Sequence, residues 1–536
     1  MRRALKDFYE KTDKKIFCLT MDTVSRVSSF APPNANDESL RTVEEFEGTT
    51  LELFPPIYCI DSMDLIPFNE DTNVAWLTRT CTDQGEEDRS VRNLFSLGRP
   101  LWGAMLKRES IRKVRYFAQI KIRGGVLQDI YALEGLRGDL ASIALLAHRI
   151  NFYITHSELA DNLVSGYLRY ILYINKDRTF LRTFQTSEPL LAFSSARLMQ
   201  RANNRLRLIK VLHRYLMEGS IHVGDIGEIV ASLILLFTFD KSQTKDYPSP
   251  LNLAEFIVLL FGEELCNQIS KASKLPERGL VFFNHFVRAT RPPTQDLLWQ
   301  AYQRGAAFMP ELNFPGYDII VPICLPDGKN PKSRPMMTFI AVQVKNRKGD
   351  KLTAGLRNEA CFSSDTTAEQ WETNDKLNIP YIFIMMSLRC QQEVVEILPS
   401  NKSERYSRGE SRESDSIVVL ATGMSLDLYP GVELEETMEQ SVESLDLLGA
   451  QEGVSEPGSF QHYAESRMDV DNQRSSESEQ IMDILIDLVS YSSGICFPFP
   501  IDGSDVDKKY AFKYYDHLLP FNEVHANTSE GVIQCR

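Results

Sequence analysis

The sequence predicts a multidomain α+β protein: an all-helical N-terminal domain, an α/β domain with a small central mixed sheet, and an acidic disordered tail. Three observations predict it. Apolar residues recur at helical spacing between about residues 91 and 270, short β-branched and aromatic runs take over from 271 to about 430, and residues 431–480 are acidic and serine-rich with few aromatics. A chain of 536 residues also exceeds what a single core usually organises.

Residues 1–90 alternate small apolar clusters with polar stretches such as Pro32-Pro33-Asn34-Ala35-Asn36-Asp37, and read as an irregular lead-in. The helical signal then becomes strong. Leu133, Leu136, Leu140, Ile143 and Ala144 fall at three- and four-residue steps, as do Leu159, Leu163, Val164, Tyr167, Leu168 and Ile171, and again Leu206, Ile209, Leu212, Leu216 and Met217. Asp225 to Glu228 reads as a capping box that opens a helix running to Phe239, apolar on nearly every side and therefore a core element.

The pattern changes at about 271. Pro292-Pro293-Thr294 marks a helix start with Thr294 as N-cap and Leu297, Leu298 and Ala301 on the buried side, and Gly305 ends or closely packs that helix. Tyr317 to Ile323, Thr338 to Val344, Tyr381 to Met386 and Ser416 to Thr422 read as strands. The turn-rich stretch PDGKNPKSRP joins the first two as a hairpin loop, a polar helical segment (Thr366 to Lys376) precedes the third, and the charged stretch Ser400 to Asp415 precedes the fourth. Beyond the acidic stretch, Ile481 to Val489 predicts a short amphipathic helix with Ser478 as its cap, followed by an aromatic segment carrying Tyr510, Phe512, Tyr514 and Tyr515.

Composition narrows the function classes. The nine cysteines are scattered without C-x-x-C spacing, and the eight histidines are equally dispersed, which argues against a disulfide scaffold and a zinc ribbon. Met1 to Lys15 has no apolar core segment, and the longest apolar run, Ile229 to Phe239, is about half of the roughly 20 residues a membrane span needs. The expectation is an intracellular protein, nuclear or cytoplasmic, without a membrane partner. The formal net charge of -14 does not suggest a surface coated by nucleic acid, although an acidic tail can hide a basic face and can itself bind a protein partner.

The chemistry concentrates at Gly316-Tyr317-Asp318-Ile319-Ile320-Val321 and Phe339-Ile340-Ala341-Val342-Gln343-Val344-Lys345-Asn346. Side chains alternate along a strand, so Gln343 and Lys345 share one side while Val342 and Val344 take the other. An antiparallel partner carrying Asp318 brings its carboxylate to the side of Gln343 and Lys345. One acid, one amide oxygen and one ammonium then converge at the mouth of two buried strands. Mg²⁺ or Mn²⁺, hard cations that favour oxygen ligands, would be held by Asp318 and Gln343, with the Val344 carbonyl as a further oxygen. Lys345 would orient the attacking water or stabilise the charged transition state.

This D…Q-x-K arrangement on two apolar strands after a capped helix resembles the PD-(D/E)XK (restriction-endonuclease-like) superfamily, and its Gln-Val-Lys form is similar to the Mrr-type branch. More narrowly, LGRPLW at 97–102, SEPLLA at 187–192, NHF at 284–286, RGAA at 304–307, GYDIIVP at 316–322 and AVQVKN at 341–346 resemble a family of large fungal proteins. The resemblance spans roughly residues 90–425. It implies a restriction-endonuclease-like domain over 271–430 with Asp318, Gln343 and Lys345 as catalytic residues, Asp318 and Gln343 as metal ligands, and nucleic acid, foremost DNA, as substrate. In related Crinkler-type architectures such a domain follows a P-loop ATPase; no G-x-x-x-x-G-K-[ST] occurs here, so that module is absent or the chain is a fragment.

Two readings stand at this point: a metal-dependent nuclease, or an inactive nuclease-like domain that binds nucleic acid or protein. In the second, Gln343 and Lys345 are the polar end of a buried strand and Asp318 caps a turn. Gln300, Gln303 and Glu311 are subsidiary candidates for metal ligation, and Asn346, Arg347 and Lys348 for phosphate contact. Two basic runs, Lys107 to Arg115 and Arg197 to Arg214, offer either a phosphate-binding ridge or an ordinary solvated face that pairs with the acidic tail. Phe282, Phe283 and Phe286 read as core rather than as stacking platforms.

Overall fold

The computed structural model describes residues 63–64, 70–125, 135–174, 181–201, 203–222, 226–289, 292–310, 314–327, 333–349, 351–375, 379–398, 416–433 and 465–491. Most of the lead-in, Asp225 of the capping box, the hairpin-loop tip, the charged stretch before the fourth strand, Glu311 and the aromatic C-terminal segment lie outside these residues.

Helices α1 (Glu70–Leu77), α2 (Gln84–Phe95), α3 (Pro100–Leu106), α4 (Ile111–Ile122), α5 (Gly135–Ala147) and α6 (Ser157–Gly166) come first. A hairpin of β1 (Tyr170–Ile174) and β2 (Leu181–Phe184) follows, then α7 (Pro189–Met199), α8 (Asn204–Met217) and α9 (Ile226–Lys241). The hairpin corrects the expectation of an all-helical N-terminal region. The stripe read from Leu159 to Ile171 breaks after Gly166, where Leu168 adopts φ +63° and turns the chain. The run Tyr170-Ile171-Leu172-Tyr173-Ile174 then follows its β-branched and aromatic composition into a strand.

The second half contains β3 (Leu251–Asn252), α10 (Leu253–Phe261), α11 (Glu263–Ala272), α12 (Leu275–Arg278), β4 (Leu280–Val281), β5 (His285–Arg288), α13 (Gln295–Gln303) and β6 (Ala306–Met309). It continues through β7 (Ile319–Leu325), β8 (Met336–Lys345), α14 (Ala354–Asp375), β9 (Ile382–Ser387), β10 (Val394–Leu398) and β11 (Ile417–Thr422). Helix α13 starts as its sequence predicts: Thr294 Oγ1 accepts the Leu297 amide at 3.1 Å. It ends at Gly305, whose φ of +61° suits a residue without a side chain.

The main sheet is mixed and curled. Its order is β10-β11-β9-β8-β7-β4-β3, with β6 also on β7 and β5 on β6. Strands β7 and β8 are antiparallel, and β8 and β9 are parallel, joined by the crossover helix α14. The four strands expected here are present, and β10, antiparallel to β11, adds an edge.

Helices and sheet share one interior, because the buried apolar residues from Val74 to Val489 form a single cluster. At its centre, α9 buries almost its whole length, and with it the carboxylate of Asp240. Arg149, at the end of α5, answers that charge with two parallel bonds, Nη1 to Oδ2 at 2.9 Å and Nη2 to Oδ1 at 2.8 Å. The same guanidinium donates through Nε to the Asn284 carbonyl, and the Phe286 amide donates to the Arg149 carbonyl at 2.7 Å. One arginine therefore pins the helical half to the lead-in of β5.

The last helix corrects a second expectation. Helix α15 spans Glu465–Tyr491, so Ser478 lies inside it, and 465–480 belongs to the helix rather than to a disordered linker. Ile481, Met482, Leu485, Leu488 and Val489 are buried. Glu477 extends the docking beyond that apolar stripe: its carboxylate accepts the Asn203 and Leu206 amides, each at 3.4 Å, at the start of α8, where a helix N-terminus favours negative charge. His213 of α8 pairs with Asp487 at 2.7 Å. Among the described residues, no helix is long and apolar enough to cross a membrane.

Candidate functional site

Strand register sets the geometry. Ile319 of β7 lies opposite Val342 of β8, and Asp318 is the residue just before this regular pairing begins, bonded through its amide to the Val342 carbonyl. The two faces of β8 are fixed by their neighbours. Phe339 meets Trp371 of α14 edge-on, with ring centroids 5.0 Å apart, and Lys345 Nζ lies 2.9 Å from Glu359 Oε1 of the same helix. Gln343 shares this face by alternation. Val344 points the other way, against Gly227 at the start of α9, where a Cβ would come within 3.1 Å of its methyl group.

Asp318 is held at the mouth of the two strands. Its amide donates to the Val342 carbonyl at 2.8 Å, and its Oδ2 accepts the Val344 amide at 2.7 Å. The carboxylate thus takes the place of a main-chain acceptor where β7 begins. Gly316 lets the chain just before Asp318 pass close to α14. It has φ +100°, and a Cβ there would sit 2.9 Å from Thr367 Oγ1 of α14.

Gln343 is 9% exposed, and its Oε1 is buried with no hydrogen-bond partner among the described residues. A buried acceptor left unpaired costs about 1–3 kcal/mol. Next to it on the same face, Lys345 is held by Glu359, whose other cationic neighbour is Arg347 at 4.0 Å. Glu359 is the residue that sequence reading missed. It belongs to a helix recognised only from Thr366 onward, and no strand pattern marks it.

The subsidiary candidates separate. The Asn346 side chain starts beside Gly227, on the α9 side of the strand, and both its amide atoms are buried and unpaired among the described residues. Gln303 is buried with an unpaired Nε2, and Gln300 is half-buried. Their helix is anchored by Gln295, which exchanges two hydrogen bonds with Met337, at the opposite end of β8 from Lys345. Arg347 and Lys348 are exposed.

Much of the second basic run is used internally. Arg207 and Arg214 both pair with Asp139, at 3.0 and 2.8 Å, and Arg205 is buried over the Phe237 ring with Nη1 on the Val432 carbonyl. In the first run, Arg115 pairs with Asp246 and Lys113 with Glu109. Phe282, Phe283 and Phe286 are core, packed with Trp76, Phe239, Phe256 and Tyr302.

Four of the short motifs meet in a second, buried polar cluster. Glu188 accepts Arg99 Nη1 at 2.7 Å, Trp102 Nε1 at 2.8 Å and Thr186 Oγ1 at 2.8 Å. Beside it, Ser187 Oγ lies 2.8 Å from His285 Nε2 and accepts Arg304 Nε at 2.9 Å, while His285 Nδ1 lies 2.7 Å from Asn284 Oδ1. Burial, reinforced by Arg304 and Arg149, pushes His285 down to about 3. The ring is therefore neutral, with Nδ1–H donating to the amide oxygen and Nε2 accepting from Ser187. This cluster is a buried clamp between α3, α7 and the β5–β6 pair. It ties these elements of the scaffold together.

A family model described as "Domain of unknown function (DUF8736)" matches residues 132–424, more than half of the chain. The chain belongs to the DUF8736 family. No curated protein and no solved structure matches it. The DUF8736 region contains Asp318, Gln343, Lys345 and Glu359 together with Ser187, Asn284, His285 and Arg304; Arg99, Trp102 and α15 lie outside it. Among the described residues of this DUF8736 member, no group of three or more His, Cys, Asp and Glu side chains converges to hold a metal ion.

Proposed function

We propose that this protein hydrolyses nucleic-acid phosphodiester bonds, foremost those of DNA, at Asp318, Gln343 and Lys345 with Mg²⁺ or Mn²⁺. We further propose that the run α13–β6–β7–β8–α14–β9 is a PD-(D/E)XK arrangement. The unpaired, buried Gln343 Oε1, one residue before the Val344 amide that holds Asp318, carries the reading. Native structures seldom leave a buried acceptor unanswered unless a ligand or water answers it. A carboxylate, an amide oxygen and a neighbouring lysine suit a hard divalent cation with a phosphate beside it.

In this reading Asp318 and Gln343 hold the cation, and Asp318 is itself fixed by the Val344 amide. The bound ion would lower the pKa of a water and offset charge on the phosphate. Lys345 supplies a positive charge to the phosphate oxygens as the attacking oxygen approaches, the moment at which that charge is worth most. Glu359 is a positioning residue that holds the Lys345 ammonium at the end of β8. Thermal unfolding tests the cation directly: Mn²⁺ should raise the Tm of the wild type and not that of Asp318→Ala. An equal shift in both proteins removes Asp318 from the site.

The second reading is an inactive nuclease-like module that binds nucleic acid or protein. It is favoured by the engagement of both charged groups, Asp318 by a main-chain amide and Lys345 by Glu359.

A further inference from the structure

Strand β8 hands the chain from Lys345 directly to a run of cations. Arg347 is 80% exposed and 4.0 Å from the Glu359 carboxylate that also holds Lys345. Lys348 and Lys351 are exposed in the connection between β8 and α14, and Arg389 is half-buried in the turn that follows β9. Hydrogen bonds stitch these two segments together. The Lys345 carbonyl accepts the Leu388 amide at 3.0 Å, the Gly349 amide donates to the Arg389 carbonyl at 3.3 Å, and the Gly349 carbonyl accepts the Gln391 amide at 2.9 Å. Gln392 Oε1 then accepts the Leu352 amide at 3.0 Å. Asp318 stands at the same end of the sheet, since its Oδ2 accepts the Val344 amide.

Two features separate these cations from the arginines of the helical half. Arg207 and Arg214 share Asp139 and Arg115 pairs with Asp246, so their charge is answered inside the molecule. Among the described residues, no carboxylate forms an ion pair with Lys348, Lys351 or Arg389. Two bordering acids are engaged, Glu359 by Lys345 and Glu393 by the Ser425 hydroxyl at 2.6 Å, and Asp350 lies outside the described residues. The second feature is position. Strands β8, β9 and β11 run parallel, and the cations lie beyond the carboxyl ends of β8 and β9, the side on which α/β sheets receive ligands. Cations fixed close together repel one another, and a polyanion relieves that repulsion while releasing its own counterions.

Building on the hydrolase reading, we propose that Arg347, Lys348 and Lys351 form a phosphate-tracking ledge, and that the substrate is a polynucleotide held through phosphates beyond the one cleaved. The ledge reads no sequence, because backbone phosphates carry none; it sets where the strand lies as it passes Lys345. A dinucleoside monophosphate has only the phosphate to be cleaved, so it gains nothing from the ledge.

The test uses the full chain without divalent cation, so that no strand is cut, and follows the anisotropy of a labelled DNA duplex of arbitrary sequence. The wild type should bind it with an affinity that falls steeply as salt rises. The triple variant Arg347→Ala, Lys348→Ala and Lys351→Ala should weaken binding by at least about tenfold and lower the slope of log affinity against log salt by about two. Because these side chains are solvated, that variant should keep the wild-type circular dichroism and Tm. The charge-conserving triple Arg347→Lys, Lys348→Arg and Lys351→Arg should retain binding, as should the distant triple Lys107→Ala, Arg108→Ala and Arg112→Ala. Unchanged binding by the ledge variant, an equal loss in the distant triple, or no binding by the wild type each overturns the proposal. Mn²⁺-dependent cleavage is measured separately. Cleavage by the wild type with unaltered binding by the ledge variant removes the ledge and leaves the hydrolase reading; ledge-dependent binding without cleavage by the wild type does the reverse.

Discussion

Lys345 Nζ lies 2.9 Å from Glu359 Oε1, which joins the last residue of β8 to the second turn of α14. The pair is only partly screened from solvent, with side-chain exposures of 18% and 33%, so its worth to stability is small, on the order of 1 kcal/mol or less. Its consequence is positional. It fixes where the ammonium stands at the end of β8, and it puts a carboxylate beside the lysine of the proposed site.

Glu359→Gln should therefore affect turnover more than substrate binding. The expected result is a kcat lower by about tenfold to a hundredfold with little change in KM and a shifted pH–rate profile, partly restored in Glu359→Asp. Steady-state kinetics across pH check this. An unchanged kcat with an unchanged profile removes Glu359 from the site.

Asp240 and Arg149 form a bidentate pair in the interior, 2% and 0% exposed. Removing one partner leaves a buried charge without an answer, at a cost of about 3–5 kcal/mol. Asp240→Ala should unfold at markedly lower denaturant concentration than the wild type. The loss should exceed that from Asp88→Ala, which breaks the exposed pair with Arg92. Equal midpoints for the two variants would contradict the central role given to Arg149.

Acid stability carries a sign that can be worked out. Burial and the nearby Arg304 and Arg149 push His285 down to about 3, and burial with Arg99 and Arg169 pushes His148 well below its ordinary value. Between about pH 6.5 and those lowered values the unfolded chain binds protons that the folded protein refuses. Stability is thus fully present above about pH 6.5 and falls as the solution is acidified. Tm should drop below pH 6.5, and His285→Gln, which cannot take up the proton, should show a shallower drop. An acid profile identical to that of the wild type would exclude His285 as a contributor.

Docking of α15 gives a further test. Leu485 is completely buried. Leu485→Ala should release the helix or cost about 2–5 kcal/mol. Proteolysis near the C-terminus should accelerate before global unfolding does. Unaltered cleavage kinetics would place the stability of α15 elsewhere.

What the sequence showed and concealed follows from the range of the forces involved. The Thr294 cap, the helices at α8 and α9 and the adjacency of β7 and β8 are local signals, so Asp318, Gln343 and Lys345 could be assigned to neighbouring strands from the sequence alone. Strand β10 reads weakly because Val394, Val395, Glu396 and Ile397 are only half-buried at the sheet edge, and its pattern does not alternate. The helix before Ile481 is hidden in the sequence because what fastens Glu477 comes from a distant element: its carboxylate is bonded to the start of α8. Glu359 and the meeting of Arg99, Glu188, His285 and Arg304 are products of tertiary approach. No local period announces them.

Digestion of labelled single- and double-stranded DNA in Mn²⁺, comparing wild type with Asp318→Ala and Lys345→Ala, tests the central claim most directly. The account predicts cleavage by the wild type and losses of at least about a hundredfold in both variants, each still folded by circular dichroism. Cleavage undiminished by either substitution, or no cleavage by a folded wild type, contradicts it.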